Sequence, residues 1–258
     1  MFEGNLMNYL TKILFALLII LITFLLCSCG ASHSIQEDLI YKDDSFSYNQ
    51  LINNNVANGG VFSHLKNITY DQKTEYSFLL SKVLFEKLTD VHRITMVSTG
   101  QLINETGKDN YLIIMDNIEF EGILNNEDII FIKESMPDLN YLLLAYITNE
   151  NIIDRSETER VKNEEGKEQY KTDYMKTYLL TVEFLLYDLI QENMVYNIVV
   201  YSQAEKTESR TTETGCCEGG ISSFISNILH GPPAEISREE VLAKIYERFA
   251  EQLSSVNN

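Results

Sequence analysis

The strictest pattern in this chain runs from Tyr178 to Tyr187. Tyr178, Leu180, Val182, Phe184 and Leu186 alternate with Leu179, Thr181, Glu183, Leu185 and Tyr187. A period of two is what a strand imposes, because successive side chains leave opposite faces of its pleat. Leu189 to Met194 then turns the chain. Val195 to Ser202 returns with Val195, Val199 and Tyr201 on one face and Tyr196, Ile198 and Val200 on the other. Two such runs across a short turn predict an antiparallel pair. Upstream, Tyr141 to Ile147 is apolar throughout, which suits a central strand covered on both faces. A strand of that kind needs helices packed against its sheet.

The periodicity supplies them. Tyr76, Leu79, Leu80, Val83, Leu84 and Leu88 form one stripe of a helix over Glu75–Thr89, with Thr74 as its cap. Short strands at Gly59–Phe62 and His92–Val97 flank it, giving a strand-helix-strand unit of the kind that crosses over right-handed. Two shorter helices are expected at Asn110–Phe120 and Asn126–Ser135, broken apart by Glu121-Gly122 and stopped by Pro137. The last helix opens with Ser237 and Glu240 spaced as a capping box, and with Ile236 and Val241 at the staple positions. Val241, Leu242, Ile245, Tyr246, Phe249 and Leu253 make its buried stripe. The expected architecture is an α/β domain on the α+β border. It is a single domain with a mixed, mostly antiparallel sheet of about five strands, helices packed on it and a terminal amphipathic helix.

Two stretches interrupt this order. Asn149 to Lys176 holds eight acids and six bases and reads as a solvated hairpin arm or a loop between strands. Residues 203–235 read as irregular and include Gly215, Cys216, Cys217, Gly219 and Gly220. With no second cysteine pair and no C-x-x-C spacing, zinc and redox chemistry are not expected there. The two thiols either join each other, pair between chains, or stay free in a glycine-rich turn.

The chain has 258 residues and a formal charge of −18, which excludes nucleic acid and an electrostatic hold on anionic lipid. No G-x-S-x-G, H-E-x-x-H or phosphate-binding loop is present. His33, His64, His92 and His230 are scattered. Glu164-Glu165 and Glu239-Glu240 are sequence neighbours, not an acid/base pair. No catalytic residue, metal or cofactor is expected, and the reading is non-enzymatic. Most of the fifteen tyrosines fall on apolar faces, where core and rim packing is the default and a partner surface the alternative.

At the N-terminus an apolar run, Ile13–Leu26, follows a lead whose only base is Lys12. It is shorter than the roughly 20 residues that span a bilayer. Leu26, Cys27, Ser28 and Cys29 close it, and the arrangement resembles a bacterial lipoprotein signal peptide ending in a lipobox. That resemblance implies cleavage before Cys29, a thioether-linked diacylglycerol on its sulfur and an acylated new N-terminus. An uncleaved membrane helix is the alternative. Gly30 at the second position favours, by the sorting rule of that group, the outer membrane facing the periplasm. The expected division is a signal peptide at 1–28, the lipidated cysteine with a flexible tether at 29–54, and a globular domain at 55–258. A loosely packed strand around Asp38–Phe46 is the alternative for the tether.

Three places in the globular part resemble the domain shared by curli-secretion-channel lipoproteins, penicillin-binding-protein activator lipoproteins and the amino-terminal domain of TolB-type proteins. They are the helix around Leu80–Leu88 with the strand at Ile94–Val97, the element Asp138–Ile147, and Leu186-Tyr187-Asp188-Leu189 followed by Val195. The likeness covers roughly residues 55–253. The turn Ile190–Asn193 departs from it in lacking glycine, and no tryptophan follows. It implies an accessory or binding module for another envelope protein. The alternative it implies is a ring-forming outer-membrane secretion subunit, in which the segment 149–176 would be the membrane hairpin. Charges at positions of both parity in that segment speak against insertion.

Overall fold

Side chains of both strand parities meet apolar neighbours in the middle of this chain, and the result is a single sheet with helices on either side. The computed structural model describes residues 31–89, 94–213 and 235–256. The chain divides into two units, residues 1–32 and His33–Asn258, and the fold is that of the second. Among the described residues six strands lie in the order β1-β6-β5-β4-β2-β3. They are β1 (Ser32–Lys42), β2 (Asn55–Ser63), β3 (Thr95–Val97), β4 (Tyr141–Lys162), β5 (Glu168–Asp188) and β6 (Asn193–Glu213). β2 runs parallel to β3 and β4, whereas β4–β5 and β5–β6 are antiparallel, so the sheet is mixed. Five helices are described: α1 (Tyr70–Leu84), α2 (Thr99–Thr106), α3 (Lys108–Glu121), α4 (Asn126–Ser135) and α5 (Arg238–Ser255). The α/β class and the mixed sheet stand as expected.

The pleat sorts the core in two. On one face β5 sends Phe184 against α5, stacked on Phe249 at 4.0 Å between centroids and edge-on to Tyr246 at 6.0 Å. On the other, Leu142, Leu144, Leu185 and Tyr187 join Leu102 of α2, Tyr111, Ile114 and Ile118 of α3, and Ile129 and Ile132 of α4. α1 shares the first face with α5 and is tied to β2 by polar groups. Asn58 donates to the Ser77 carbonyl and to Ser81 Oγ, both at 2.8 Å, and the Val61 amide donates to Ser77 Oγ at 2.8 Å. The register of β2 against β4 slips between Asn58 and Gly60. At this bulge Gly60 has φ +122°, and a Cβ there would lie 2.6 Å from Tyr111 Oη. Tyr111 donates at 2.9 Å to the Gly59 carbonyl that the bulge turns outward. Glycine is the residue that admits both the backbone angle and the phenol.

Several elements depart from expectation. The tether at 29–54 is largely structured: β1 occupies Ser32–Lys42, and Phe46, Tyr48 and Leu51 are buried. β1 makes a sixth strand where about five were expected. α1 begins at Tyr70, not Glu75, because Thr69 caps it. Thr69 Oγ1 accepts from the Gln72 amide, while Gln72 Oε1 accepts from the Thr69 amide at 2.9 Å. Thr74 instead donates to the Tyr70 carbonyl within the helix. α2 was not foreseen, and β6 continues through residues 203–213, which read as irregular. At α5, Ser237 Oγ accepts from the Glu240 amide, but the Glu240 carboxylate meets His33 Nε2 at 3.2 Å, so the box closes on one side only.

Candidate binding surface

The residue after the α5 cap is Arg238, and α5 aims its guanidinium at the point where β4 leaves β2. Nε and Nη2 reach the two oxygens of Glu150 at 2.7 and 2.9 Å. Nη1 donates to Tyr76 Oη and Nε to Tyr178 Oη, both at 3.0 Å. Tyr178 Oη and Asn67 Nδ2 also donate to Glu150. The Glu150 side chain is 3% exposed and that of Arg238 17%. Burial, and then the hydrogen bond to Glu150, push the Tyr178 phenol well above its ordinary range, so it remains a donor. This forked pair locks α5, α1, β4 and β5 together.

Beyond the lock, three strands continue as an arm. β2 pairs with β4 only as far as Ser63–Ile147, whereas β4 and β5 stay paired to Lys162–Glu168 and β6 stays paired to β5 as far as Glu213. The charged segment is therefore a hairpin arm, backed by a third strand. Asn163 Oδ1 folds its turn by accepting from the amides of Glu165 and Lys167. Gly166 supplies φ +78° there, an angle that suits glycine. Cross-strand register places Tyr170, Tyr174, Lys176, Lys206, Arg160 and Arg210 on one side of the arm. Arg160 lies over the Tyr170 ring at 5.4 Å and Arg210 over Tyr174 at 5.1 Å, both within cation–π reach. Glu157, Glu159, Asp173 and Glu205 fall on the other side with Arg155 and Lys171. Hydrogen bonds from Ser209 and then Lys171 hold the Asp173 carboxyl below its usual range. Neither side carries the apolar stripe that a strand facing lipid needs.

Helix cover of the sheet is uneven. The face that carries Leu142 and Leu185 is packed by α2, α3 and α4. Toward β6 and β1 on that face, the side chains of Ser34, Gln36, Tyr201 and Gln203 are exposed. Together with Leu179, Thr181 and Asn149 they line a shallow cleft of about 220 Å³ at the root of the arm. Tyr201 is 39% exposed. Glu183, which accepts from Asn197 Nδ2 at 2.7 Å, and Asp38 add carboxylates beside the cleft. This open sheet face is the candidate site. It offers an aromatic ring, amides, hydroxyls and two nearby carboxylates, a composition that suits binding.

Of the residues singled out in the sequence, the lipobox Leu26, Cys27, Ser28 and Cys29, the thiols Cys216 and Cys217, and His92 and His230 lie outside the described residues. His33 sits between β1 and α5, and His64 lies edge-on to Tyr146 at 5.2 Å. Glu164 and Glu165 are in the arm turn, far along the chain from Glu239, which bonds Ser237. Among the described residues no three of His, Cys, Asp and Glu group as a metal site. No described helix is long and apolar enough to cross a membrane. The open face was legible only through Tyr201, placed on the Val195–Val199 face. Glu150 and Arg238 carried no signal, being far apart in sequence.

No family model matches the chain, and no curated protein matches it. Among solved structures it is similar to bacterial chains that include lipoproteins from Neisseria meningitidis and Acinetobacter baumannii. A PelC dodecamer from Paraburkholderia phytofirmans is 8% identical over 86% of this chain and 98% of that one, with a TM-score of 0.33. The hypothetical protein CT253 from Chlamydia trachomatis is 10% identical over 79% and 97%, with a TM-score of 0.34. The LpoB C-terminal domain from Salmonella enterica is 9% identical over 66% and 87%, with a TM-score of 0.31.

Proposed function

We propose that this chain is a non-enzymatic envelope lipoprotein module. In this reading acylated Cys29 holds it in the outer membrane facing the periplasm, and the open sheet face binds another envelope protein. The observation that carries the reading is the uneven cover of the sheet. Helices bury the face over β2, β4 and the Leu185–Tyr187 end of β5, while toward the arm the same face of β5, β6 and β1 presents half-buried Leu179 and Thr181 and exposed Tyr201 and Gln203 beside a built cleft. Tyrosine with small polar neighbours is the composition of a recognition surface, since the ring buries area at little entropic cost and the hydroxyl keeps a partner. Asp38, Glu183 and a net charge of −18 select a partner with a basic contact patch and speed its approach. Two or more acyl chains on Cys29 would anchor the module stably by insertion alone.

Site-specific photo-crosslinking in cells tests the binding part. A crosslinker at Gln203 is expected to give one discrete adduct with an envelope protein, and Tyr201→Arg is expected to abolish it. Equal yields from a crosslinker at Phe120, an exposed residue of α3, would sink this assignment. The anchoring part is tested separately: Cys29→Ser should move the protein from the membrane to the soluble fraction, and continued membrane association would refute it.

A further inference from the structure

The two outer strands of the sheet are unequal. β3 is three residues long, whereas β1 has eleven and, among the described residues, has β6 as its single neighbour in the strand order. Long outer strands present a row of N–H and C=O groups, and folded proteins blunt them with proline, bulges, covering loops or central charges. β1 has no proline. Its central charges, Glu37 and Asp38, leave the C-terminal end unguarded: there Leu39, Ile40 and Tyr41 stand 56%, 58% and 40% exposed, one after another, so apolar side chains leave both faces of the strand.

Their flanks decide what fits. Asp38 precedes the three and Lys42 follows them, so the segment reads acidic, apolar, apolar, apolar, basic. Reversed, it is complementary to itself. We propose that β1 pairs antiparallel with β1 of a second copy of this chain, about a two-fold axis at Ile40. Asp38 then faces Lys42 of the partner twice, Leu39 faces Tyr41 twice, and Ile40 faces Ile40. Opposed residues share a face of the sheet, as an antiparallel ladder requires. The backbone agrees. Asp43 turns its amide to Val195 of β6 at 3.0 Å. Alternate residues of a strand turn to opposite sides, so Asp38, Ile40 and Lys42 offer their N–H and C=O to the open edge, where this register makes them the hydrogen-bonded pairs. Moving the axis by two residues sets Asp38 or Lys42 against itself, moving it by one sets Ile40 against Asp38 or Lys42 and takes the counter-charge away, and slipping one strand by one residue against the other breaks the face match. The contact is isologous and closes at two copies, joining two sheets into one and leaving the open face of each copy free. It therefore goes beyond the partner-binding reading and does not depend on it.

The test is the native mass of the full-length chain in mild detergent, followed over a range of concentrations. Asp38 also accepts a hydrogen bond from Tyr201, so all variants are compared in a Tyr201→Phe background. The parent is expected to be a dimer that dissociates on dilution. Lys42→Asp and Asp38→Lys alone each set two like-charged pairs across the axis and should weaken it by at least about tenfold. The double exchange Asp38→Lys with Lys42→Asp should restore it, which a folding defect would not do. Ile40→Lys should give a monomer with an unchanged circular dichroism spectrum. A parent that stays monomeric, or a dimer indifferent to the single exchanges, overturns the proposal.

Discussion

Glu150→Ala is expected to lower the unfolding free energy by about 3–5 kcal/mol, read from urea denaturation. Truncation removes the carboxylate and leaves the Arg238 guanidinium under the arm without its forked acceptor, with Glu239 as its remaining nearby counter-charge. It also strips Tyr178 and Asn67 of an acceptor. Geometry sets the size of the effect. Both Glu150 oxygens are engaged by a forked donor, and its side chain is 3% exposed. The pair Arg160–Glu168 is the contrast. Its side chains are 67% and 60% exposed and 3.8 Å apart. Breaking so exposed a pair should cost well under about 1 kcal/mol. If Glu150→Ala cost no more than Arg160→Ala, the lock would have no structural weight.

Phe184→Ala should be as damaging, at about 3–5 kcal/mol, for a different reason. Phe184 is fully buried and lies flat on Phe249 at 4.0 Å, with planes 9° apart. Removing the ring leaves a void between β5 and α5 that rigid strands on either side cannot close. A double-mutant cycle with Phe249→Ala separates the stacked contact from the burial of each ring. The coupling energy should come to about 0.5–1.5 kcal/mol. Additive effects would mean that the two rings are merely neighbours.

The elements that proved readable in advance have one physical trait in common, a face buried by apolar side chains. Tyr141–Ile147, Tyr178–Tyr187 and Val241–Leu253 are of this kind, and α4 matches its expected bounds, Asn126–Ser135. β1 was legible only as the alternative strand around Asp38–Phe46, because its inward residues are His33, Ile35 and Glu37. Two of these meet α5 through polar side chains, His33 on Glu240 and Glu37 on Arg248 Nη2 at 2.6 Å, so alternation in polarity is absent. The arm could be read only as a hairpin or a loop, because both its sides face water and leave no contrast for a period of two to decide between them. α2 is too short for periodicity, yet its start was written in Ser98-x-x-Gln101, and that of α1 in Thr69-x-x-Gln72. Both are capping boxes with glutamine in the place taken by glutamate at Ser237. Of the candidate surface, only the alternation around Tyr201 was visible. The open face exists because α2–α4 stop short of β6, and no local pattern records where a helix layer ends.

The strand order also carries a kinetic consequence. β4, β5 and β6 follow one another in sequence and join through tight turns, so they can zip from those turns at small cost in loop closure. β1 meets β6 through Asp43 and Val195, contacts separated by most of the chain. Bringing them together requires ordering nearly everything between, which makes the seating of β1 a late event. Pulse-labelled hydrogen exchange during refolding should show amides at the β4–β5 turn end protected first and those pairing β1 to β6 last. Simultaneous protection would contradict this order. Until β1 arrives, the β6 border lies bare, and the newly made protein is at its most adhesive in the interval before its first strand becomes its last.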